Sequence, residues 1–132
     1  MVSLCYAANL NRMSSLKMSL GKNIEREVCH YLEKHGLHKV CHNFRCRLGE
    51  IDLIMRDDKI LVFVEVRYRL SGAGAASVDA MKQQRLIKTA YYYLQTHSLF
   101  NKCTCRFDVV AVTHQQQQLV FDWIKNAFLV LE

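Results

Sequence analysis

GEIDLIMRDDKILVFVEVRY, residues 49–68, is the stretch of this 132-residue chain that decides its fold. Two apolar runs flank the polar segment Arg56-Asp57-Asp58-Lys59, which is typical of a turn between strands. The second run is apolar at consecutive positions until Glu65, as expected for a central strand that is covered on both faces. The stretch therefore predicts a hairpin of two strands, at residues 50–55 and 59–68, within a sheet.

The geometry of this hairpin brings acidic residues together. A symmetric turn of two or four residues places Asp52 opposite Phe63, and the same register places Glu50 opposite Glu65. Side chains alternate across a strand, so Phe63, Glu65 and Arg67 share one face of the sheet. Asp52 lies on that same face, as a diagonal neighbour of Glu65 with their Cα atoms ~7–8 Å apart. An odd-numbered loop would shift the register by one residue and separate the two acids, so the prediction depends on the turn.

Two carboxylates and a cation on one face suit the hydrolysis of phosphodiesters. This reaction uses a hard cation that polarises the phosphate and lowers the pKa of a water molecule, and Mg²⁺ prefers one or two carboxylates as ligands. Asp52 and Glu65 would supply them, while Arg67 would stabilise negative charge on the phosphate. Arg67 is no general base, because it stays protonated. The alternative is a structural ion-pair network in which Arg67 only neutralises the two acids.

A helix is predicted before the hairpin. The apolar residues that follow Gly21 recur at helical spacing: Ile24, Val28, Tyr31 and Leu32. Gly36 is a stop signal for this helix. At 100° per residue, Glu25 lies at the edge of the apolar stripe, so its carboxylate can face a sheet edge or a cleft. Residues 39–45 then predict the first strand.

A second helix is predicted at residues 78–96, after a loop at residues 71–76 that contains Gly72 and Gly74. The apolar side of this helix is formed by Leu86, Ile87, Ala90, Tyr93 and Leu94. Three basic residues are assigned to the opposite flank: Lys82, Arg85 and Lys88. They are interpreted either as a solvated helix face or as a surface that contacts nucleic-acid phosphates.

Two further strands, at residues 106–113 and 119–123, and a short terminal helix at residues 124–131 complete the prediction. This order predicts one mixed sheet with helices packed on it. Because a crossover helix joins the third strand to the fourth, those two strands should be parallel. Residues 1–20 lack sustained periodicity and are expected to be a poorly ordered extension of a single domain at residues 21–132.

Composition limits the classes of function. The formal net charge of +6 favours polyanionic partners such as nucleic acid. The six cysteines include no Cys-x-x-Cys pair, so they indicate reduced thiols in a cytoplasmic protein rather than a zinc site or disulfides. No apolar run approaches the ~20 residues that span a bilayer, so no membrane association is expected.

The segments GEIDLI, residues 49–54, and VFVEVRYR, residues 62–69, resemble the signature of the YraN family. Further matches to that family lie in each predicted element: Gly21, Glu25, Asn43, Arg45, Lys82, Arg85, and Arg106-Phe107-Asp108. The resemblance extends over residues 21–128. The members are uncharacterised proteins for which a restriction-endonuclease-like fold is predicted.

The resemblance implies a three-layer α/β/α domain and the PD-(D/E)xK nuclease pattern, in which an aspartate, a glutamate and a lysine surround a metal ion. Asp52 and Glu65 then correspond to the metal ligands, and Glu25 to the acid on the first helix that completes the site. Arg67 occupies the lysine position, a departure that affects catalysis because arginine does not readily share a proton with water. The implied cofactor is Mg²⁺ or Mn²⁺, and the implied substrate is DNA, including branched or structured DNA.

Three functions are therefore compared. The first is a metal-dependent endonuclease with Asp52, Glu65 and Arg67 at the reacting phosphate. The second is a nucleic-acid-binding module with weak or lost catalysis, which Arg67 favours. The third is a protein-interaction adaptor in DNA processing, and a homodimer is open for all three. Metal-dependent cleavage distinguishes the first from the second, and salt-dependent DNA binding distinguishes both from the third.

Overall fold

The computed structural model describes residues 20–69, 78–100 and 102–129. Its helices and strands follow in the order α1 (residues 20–34), β1 (His38–Cys46), β2 (Gly49–Asp57), β3 (Ile60–Arg69), α2 (Ala80–Thr96), β4 (Thr104–Gln115) and β5 (Gln118–Ile124). The loop predicted at residues 71–76 and the extension predicted at residues 1–20, apart from Leu20 in α1, lie outside the described residues. Among the helices that are described, none has the length and apolarity to span a membrane.

The five strands form one mixed sheet in the order β1-β2-β3-β4-β5, and each face of the sheet is covered by one helix. On one face, α1 packs through Ile24, Val28, Cys29 and Leu32. On the other face, α2 packs through Leu86, Ala90 and Tyr93. The prediction of an α/β fold is confirmed, and the arrangement is consistent with a restriction-endonuclease-like domain.

Strand β3 is the centre of the sheet. It pairs antiparallel with β2 and parallel with β4, which confirms the parallel pairing that the crossover helix predicted. Its apolar residues face both helices, because Val62 and Val64 lie in the core under α1 while Leu61 and Phe63 lie in the core under α2. The continuous apolar run is therefore explained by burial on both faces.

The register of the central hairpin differs from the prediction. Phe63 pairs with Ile54, not with Asp52, and Leu53 pairs with Val64. The reason is the turn: Asp58 adopts a positive φ of 53°, a conformation that aspartate tolerates, so the turn is centred one residue later than expected. The partner of each β2 residue on β3 is therefore two residues later than predicted. A shift by an even number does not exchange the two faces of the hairpin, and it places Asp52 at the level of Glu65.

The helix predicted at residues 124–131 is wrong. Strand β5 continues to Ile124, and the next residues form a turn in which Asn126 has a φ of 50°. Hydrogen bonds from two backbone amides fix this segment on β4. Asn126 N–H donates to the side-chain carboxylate of Asp108, and Ala127 N–H donates to the backbone carbonyl of Phe107. Tertiary hydrogen bonds thus prevent helical geometry, although the segment has an apolar sequence.

Asp108 is the buried polar centre of this part of the fold. Its carboxylate is 0% exposed and accepts hydrogen bonds from Arg106 Nε, at 3.0 and 3.1 Å, and from Trp123 Nε1, at 2.9 Å. Arg106 in turn donates to Asp57 at the end of β2, at 2.9 Å. The network therefore ties β2, β4, β5 and the C-terminal turn together.

The substitution Asp108→Asn tests this network. It removes a buried charge that Arg106 requires, and breaking a buried pair costs about 3–5 kcal/mol. We expect a loss of that size in the free energy of unfolding, measured by urea titration with circular dichroism. The matched control Asp122→Asn, at an exposed position of β5, should change stability by less than ~0.5 kcal/mol. Equal stability of the two variants would contradict the assigned role of Asp108.

Candidate functional site

Asp52 lies where the ladder between β2 and β3 ends. The last paired residues are Leu53 and Val64, and the next amide on β3 that would need a partner from β2 belongs to Val66. The side chain of Asp52 supplies that partner, since its Oδ2 accepts a hydrogen bond from Val66 N–H at 2.8 Å. The carboxylate is thereby inserted at the point where the two strands diverge.

The strand next to Asp52 is irregular, and this irregularity turns the strand. In β1, Asn43 has a φ of 51° and lies between the pairs His42–Leu53 and Phe44–Ile51. As a result, Leu53 packs under α1 whereas Ile51, two residues earlier, packs under α2. Regular alternation would place both on one face, so the sheet is twisted locally at Asp52.

Asp52 and Glu65 form a pair of neighbouring, mostly buried carboxyl groups. Burial, as the largest cause, and the negative charge of Glu65, as the next, together raise the pKa of Asp52 from 3.8 to about 8. The hydrogen bond from Val66 opposes this shift, and a hydrogen bond with Glu65 supports it. A neighbouring negative charge disfavours the ionised form of Asp52 unless a cation compensates it.

That cation is Lys82, from the first turn of α2. Its Nζ lies 2.5 Å from Oε1 of Glu65, with 45% of the lysine side chain exposed and 7% of the glutamate side chain exposed. The expectation that Lys82 lies on the outer flank of the helix is therefore wrong. Lys82 precedes the buried residues Leu86 and Tyr93 at spacings of four and eleven residues, which places it on the stripe that faces the sheet.

Local contacts fix α2 in the position from which Lys82 reaches Glu65. Asp79 caps the helix, because its Oδ1 accepts a hydrogen bond from Lys82 N–H at 2.9 Å. Further along, Gly49 at the start of β2 lies against the helix with a φ of +153°, and a Cβ there would be 2.8 Å from Thr89 Oγ1. A glycine is required at this close approach of strand and helix.

Glu25 lies near the pair, on the α1 side. Burial raises its pKa, a hydrogen bond with Asn43 lowers it, and the charges of Glu50 and Glu65 raise it. Glu25 also contributes to the raised pKa of Asp52, so the three predicted acids share one electrostatic environment. Asn43 therefore has two roles: its side chain hydrogen-bonds with Glu25, and its positive φ twists the strand beside Asp52.

The remaining predicted residues lie around this centre. Arg67 is half-buried on β3, two residues beyond Glu65, and within the described part of the chain its side chain makes no ion pair or hydrogen bond. Arg85 and Lys88 are exposed on α2. Thus the cation in contact with an acid of the site is Lys82 rather than Arg67.

Two clefts lie near this centre, one beside each helix, and the residues that line them include neither Asp52 nor Glu65. One, of about 580 Å³, lies between Gly49 and Glu50 of β2 and the start of α2, and Lys82 and Arg85 line it. The other, of about 520 Å³, lies between α1 and β1, and Glu25 lines it. Lys82, which lines the first cleft, contacts Glu65, and the charge of Glu25, which lines the second cleft, acts on Asp52.

The donor set matches a cation that keeps water ligands. In the part of the chain that the structure describes, no group of three or more His, Cys, Asp or Glu side chains could enclose a metal ion. Two carboxylates are nevertheless the usual protein contribution to a Mg²⁺ site, where water completes the shell. Asp52 and Glu65 fit that role, because a divalent cation between them would relieve their mutual repulsion, and Glu25 would act through water.

Two features of this centre were not anticipated from the sequence. The ion pair of Lys82 with Glu65 was missed, although the helical spacing of Lys82, Leu86 and Tyr93 contains the signal. The contact between Glu25 and Asn43 was also missed. It depends on a left-handed residue within a strand, for which asparagine is a suitable residue but not a sufficient indication.

The fold is that of an α/β domain with a mixed five-stranded sheet, consistent with the restriction-endonuclease-like class. Residues 24–112 match the Uncharacterised protein family UPF0102, which is the YraN family. The chain is 50% identical over 121 residues to a UPF0102 protein of Coxiella burnetii (strain RSA 331 / Henzerling II), covering 89% of this chain and 98% of that protein.

A UPF0102 protein of Stutzerimonas stutzeri is 45% identical over 117 residues, covering 86% of this chain and 98% of the relative. One of Chromohalobacter salexigens is 48% identical over 111 residues, covering 82% and 89%. The chain belongs to the UPF0102 family, whose function is uncharacterised.

The raised pKa of Asp52 predicts how stability depends on pH without metal. The pKa of the Asp52 carboxyl group is about 8 in the folded protein and 3.8 in the unfolded chain. Protonation of this group therefore stabilises the folded state, and the contribution is fully present below pH 3.8. This contribution decreases as the pH rises and is lost above about 8. Thermal unfolding in EDTA should therefore show wild type losing stability relative to Asp52→Asn between pH 5 and pH 8. Parallel curves for the two proteins would contradict the assignment.

Proposed function

We propose that this protein is a cytoplasmic, metal-dependent nuclease that hydrolyses phosphodiester bonds in nucleic acid, with DNA as the expected substrate and Mg²⁺ or Mn²⁺ as the cofactor. Asp52 and Glu65 hold the cation in this proposal, and Glu25 supports its water shell. The observation that carries the proposal is the pair of buried carboxyl groups at the diverging ends of β2 and β3.

The pair supports a catalytic role because it is unfavourable for folding alone. Burying Asp52 beside Glu65 disfavours the charged form of Asp52, and an apolar pair at this position would avoid that cost. Groups with strongly shifted pKa values in a cleft are candidates for a functional site. A divalent cation turns the same pair into a favourable arrangement.

Each residue has a distinct part in the proposed reaction. Asp52 is held in place by Val66 N–H, which fixes its carboxylate at the end of the hairpin where the cation would bind. When bound, Mg²⁺ would polarise the phosphate and lower the pKa of water. Glu25, which hydrogen-bonds with Asn43 and lines the second cleft, would accept hydrogen bonds from the water ligands of the cation. Arg67, beyond Glu65 on β3, provides positive charge for the phosphate.

The approach of nucleic acid is supported by the outer face of α2. Met81, Arg85, Lys88 and Tyr92 recur at helical spacing and form one exposed stripe beside the first cleft. Arg85 and Lys88 are suited to phosphate contacts, and the exposed ring of Tyr92 is suited to stacking on a base. These contacts depend on charge and shape and carry no sequence specificity.

The second candidate is a nucleic-acid-binding module without catalysis. The ion pair between Lys82 and Glu65 favours it, because that lysine compensates the charge of the acidic pair in the absence of metal. In this case Arg85 and Lys88 would bind phosphates, and the acids would only position Lys82.

Conversion of the acids to amides distinguishes these candidates. Asp52→Asn and Glu65→Gln each remove a negative ligand and preserve side-chain size, so each should lower Mg²⁺- or Mn²⁺-dependent cleavage of DNA at least ~100-fold. Asp58→Asn, in the exposed turn at the far end of the hairpin, is the matched control and should retain cleavage. Circular dichroism should show that all three variants are folded.

The nuclease proposal fails if wild type cleaves none of linear, single-stranded and branched DNA with either metal ion. It also fails if both amide variants cleave at the rate of wild type. The binding module would then be the better description.

The salt dependence of DNA binding tests the exposed stripe. The plot of log K against log salt has a slope of about −0.9 per phosphate contact for duplex DNA, so the double substitution of Arg85→Gln and Lys88→Gln should make it shallower by about 1.8. Fluorescence anisotropy of a labelled duplex over a range of KCl concentrations measures it. An unchanged slope would show that these two side chains are only solvated.

A further inference from the structure

Lys82 is the group whose arrangement the nuclease proposal does not explain. In the nuclease pattern, the site's lysine is on the strand two residues after the glutamate, where this chain has Arg67. Among the described residues, Arg67 makes no ion pair or hydrogen bond with Glu65, whereas the ammonium of Lys82 lies on Oε1 of Glu65. The amine of this site thus comes from the helix and not from the strand.

The position of Lys82 gives it two environments. Its Nζ reaches the buried carboxylate of Glu65, and its exposed stem lines the cleft between the start of β2 and α2. The cap by Asp79 fixes the backbone of Lys82, while the long side chain retains rotatable bonds. A change of side-chain rotamer moves the ammonium between Glu65 and the cleft without moving the helix.

The charge on Glu65 determines which environment is favoured. Without metal, the ammonium is the cation that compensates the buried pair of acids. A divalent ion on Asp52 and Glu65 carries more charge than the lysine, so it competes with Lys82 for the same carboxylate oxygen. Once displaced, Lys82 lies beside a cleft of about 580 Å³ that Arg85 also lines.

We infer that Lys82 is the phosphate-binding residue of the site: its ammonium is held on Glu65 in the metal-free protein and transfers to a phosphate oxygen of nucleic acid in the cleft when a divalent ion takes that carboxylate. This inference rests on the proposed function for its ligand, a nucleic-acid phosphodiester. Metal and nucleic acid then bind cooperatively, because both favour the position of the Lys82 side chain in the cleft.

The first test is metal binding by wild type and Lys82→Gln, measured as loss of the electron paramagnetic resonance signal of free Mn²⁺. Removing the competing ammonium should tighten Mn²⁺ binding about fivefold, the size expected for one half-exposed ion pair. Lys82→Arg retains a cation and should bind Mn²⁺ as wild type does. Lys59→Gln, in the exposed turn at the other end of the hairpin, controls for net charge and should leave Mn²⁺ affinity unchanged.

The second test compares DNA binding in EDTA with binding in Ca²⁺, using fluorescence anisotropy of a labelled duplex and a labelled single strand. In EDTA, Lys82 is occupied by Glu65, so wild type and Lys82→Gln should bind equally. In Ca²⁺, wild type should bind about fivefold more tightly than Lys82→Gln, because only wild type has an ammonium to transfer. A lysine with a merely structural role would affect both conditions alike.

The inference is overturned if Lys82→Gln leaves Mn²⁺ affinity unchanged or weakens it, or if Arg67→Gln tightens Mn²⁺ binding more than Lys82→Gln does. It is also overturned if the effect of Lys82→Gln on DNA binding is the same in EDTA and in Ca²⁺. These readouts do not require cleavage. If the metal-dependent effect is present but wild type cleaves no DNA, the inference stands and the nuclease proposal fails. If wild type cleaves DNA and the metal-dependent effect is absent, the nuclease proposal stands and the inference about Lys82 fails.

Discussion

The repulsion between the carboxyl groups of Asp52 and Glu65 is the constraint on which the rest of the site depends. Both groups lie at the end of the central hairpin, where burial and the neighbouring charge raise the pKa of Asp52 to about 8. The surrounding contacts can be understood as responses to this repulsion. Val66 N–H stabilises the charged form of Asp52, and Lys82 compensates the charge on Glu65. Replacing a buried charged pair with apolar residues is often neutral or stabilising, so stability alone does not explain the pair.

The fold supplies a rigid frame for this unfavourable pair. Strand β3 carries Glu65 and is fixed on both sides, by the antiparallel ladder with β2 and the parallel ladder with β4. On the neighbouring strand, at the level of Val64, the buried carboxylate of Asp108 ties Arg106, Trp123 and the C-terminal turn to the same sheet. Stability gained in one part of a domain can offset an arrangement elsewhere that binding or catalysis requires.

The sequence predicted those features that follow from periodicity. The apolar run around Phe63 indicated a central strand, and the crossover helix indicated the parallel pairing of β3 with β4. The register was wrong by two residues because the left-handed conformation of Asp58 is not visible in an apolar pattern. The terminal helix was wrong because hydrogen bonds from Asn126 to a distant aspartate decide that segment. The partner of Lys82 depends on how α2 sits against the sheet, which the close approach at Gly49 determines.

The most direct measurement is a crystal structure obtained with Mn²⁺, with anomalous scattering recorded at the manganese absorption edge. We expect an anomalous peak within ~2.2 Å of carboxylate oxygens from both Asp52 and Glu65, together with water ligands and displacement of Lys82 from Glu65. The proposed metal site is contradicted if Lys82 remains on Glu65 and no anomalous peak is seen at Mn²⁺ concentrations that support cleavage by known nucleases. The acids would then be a structural ion-pair network.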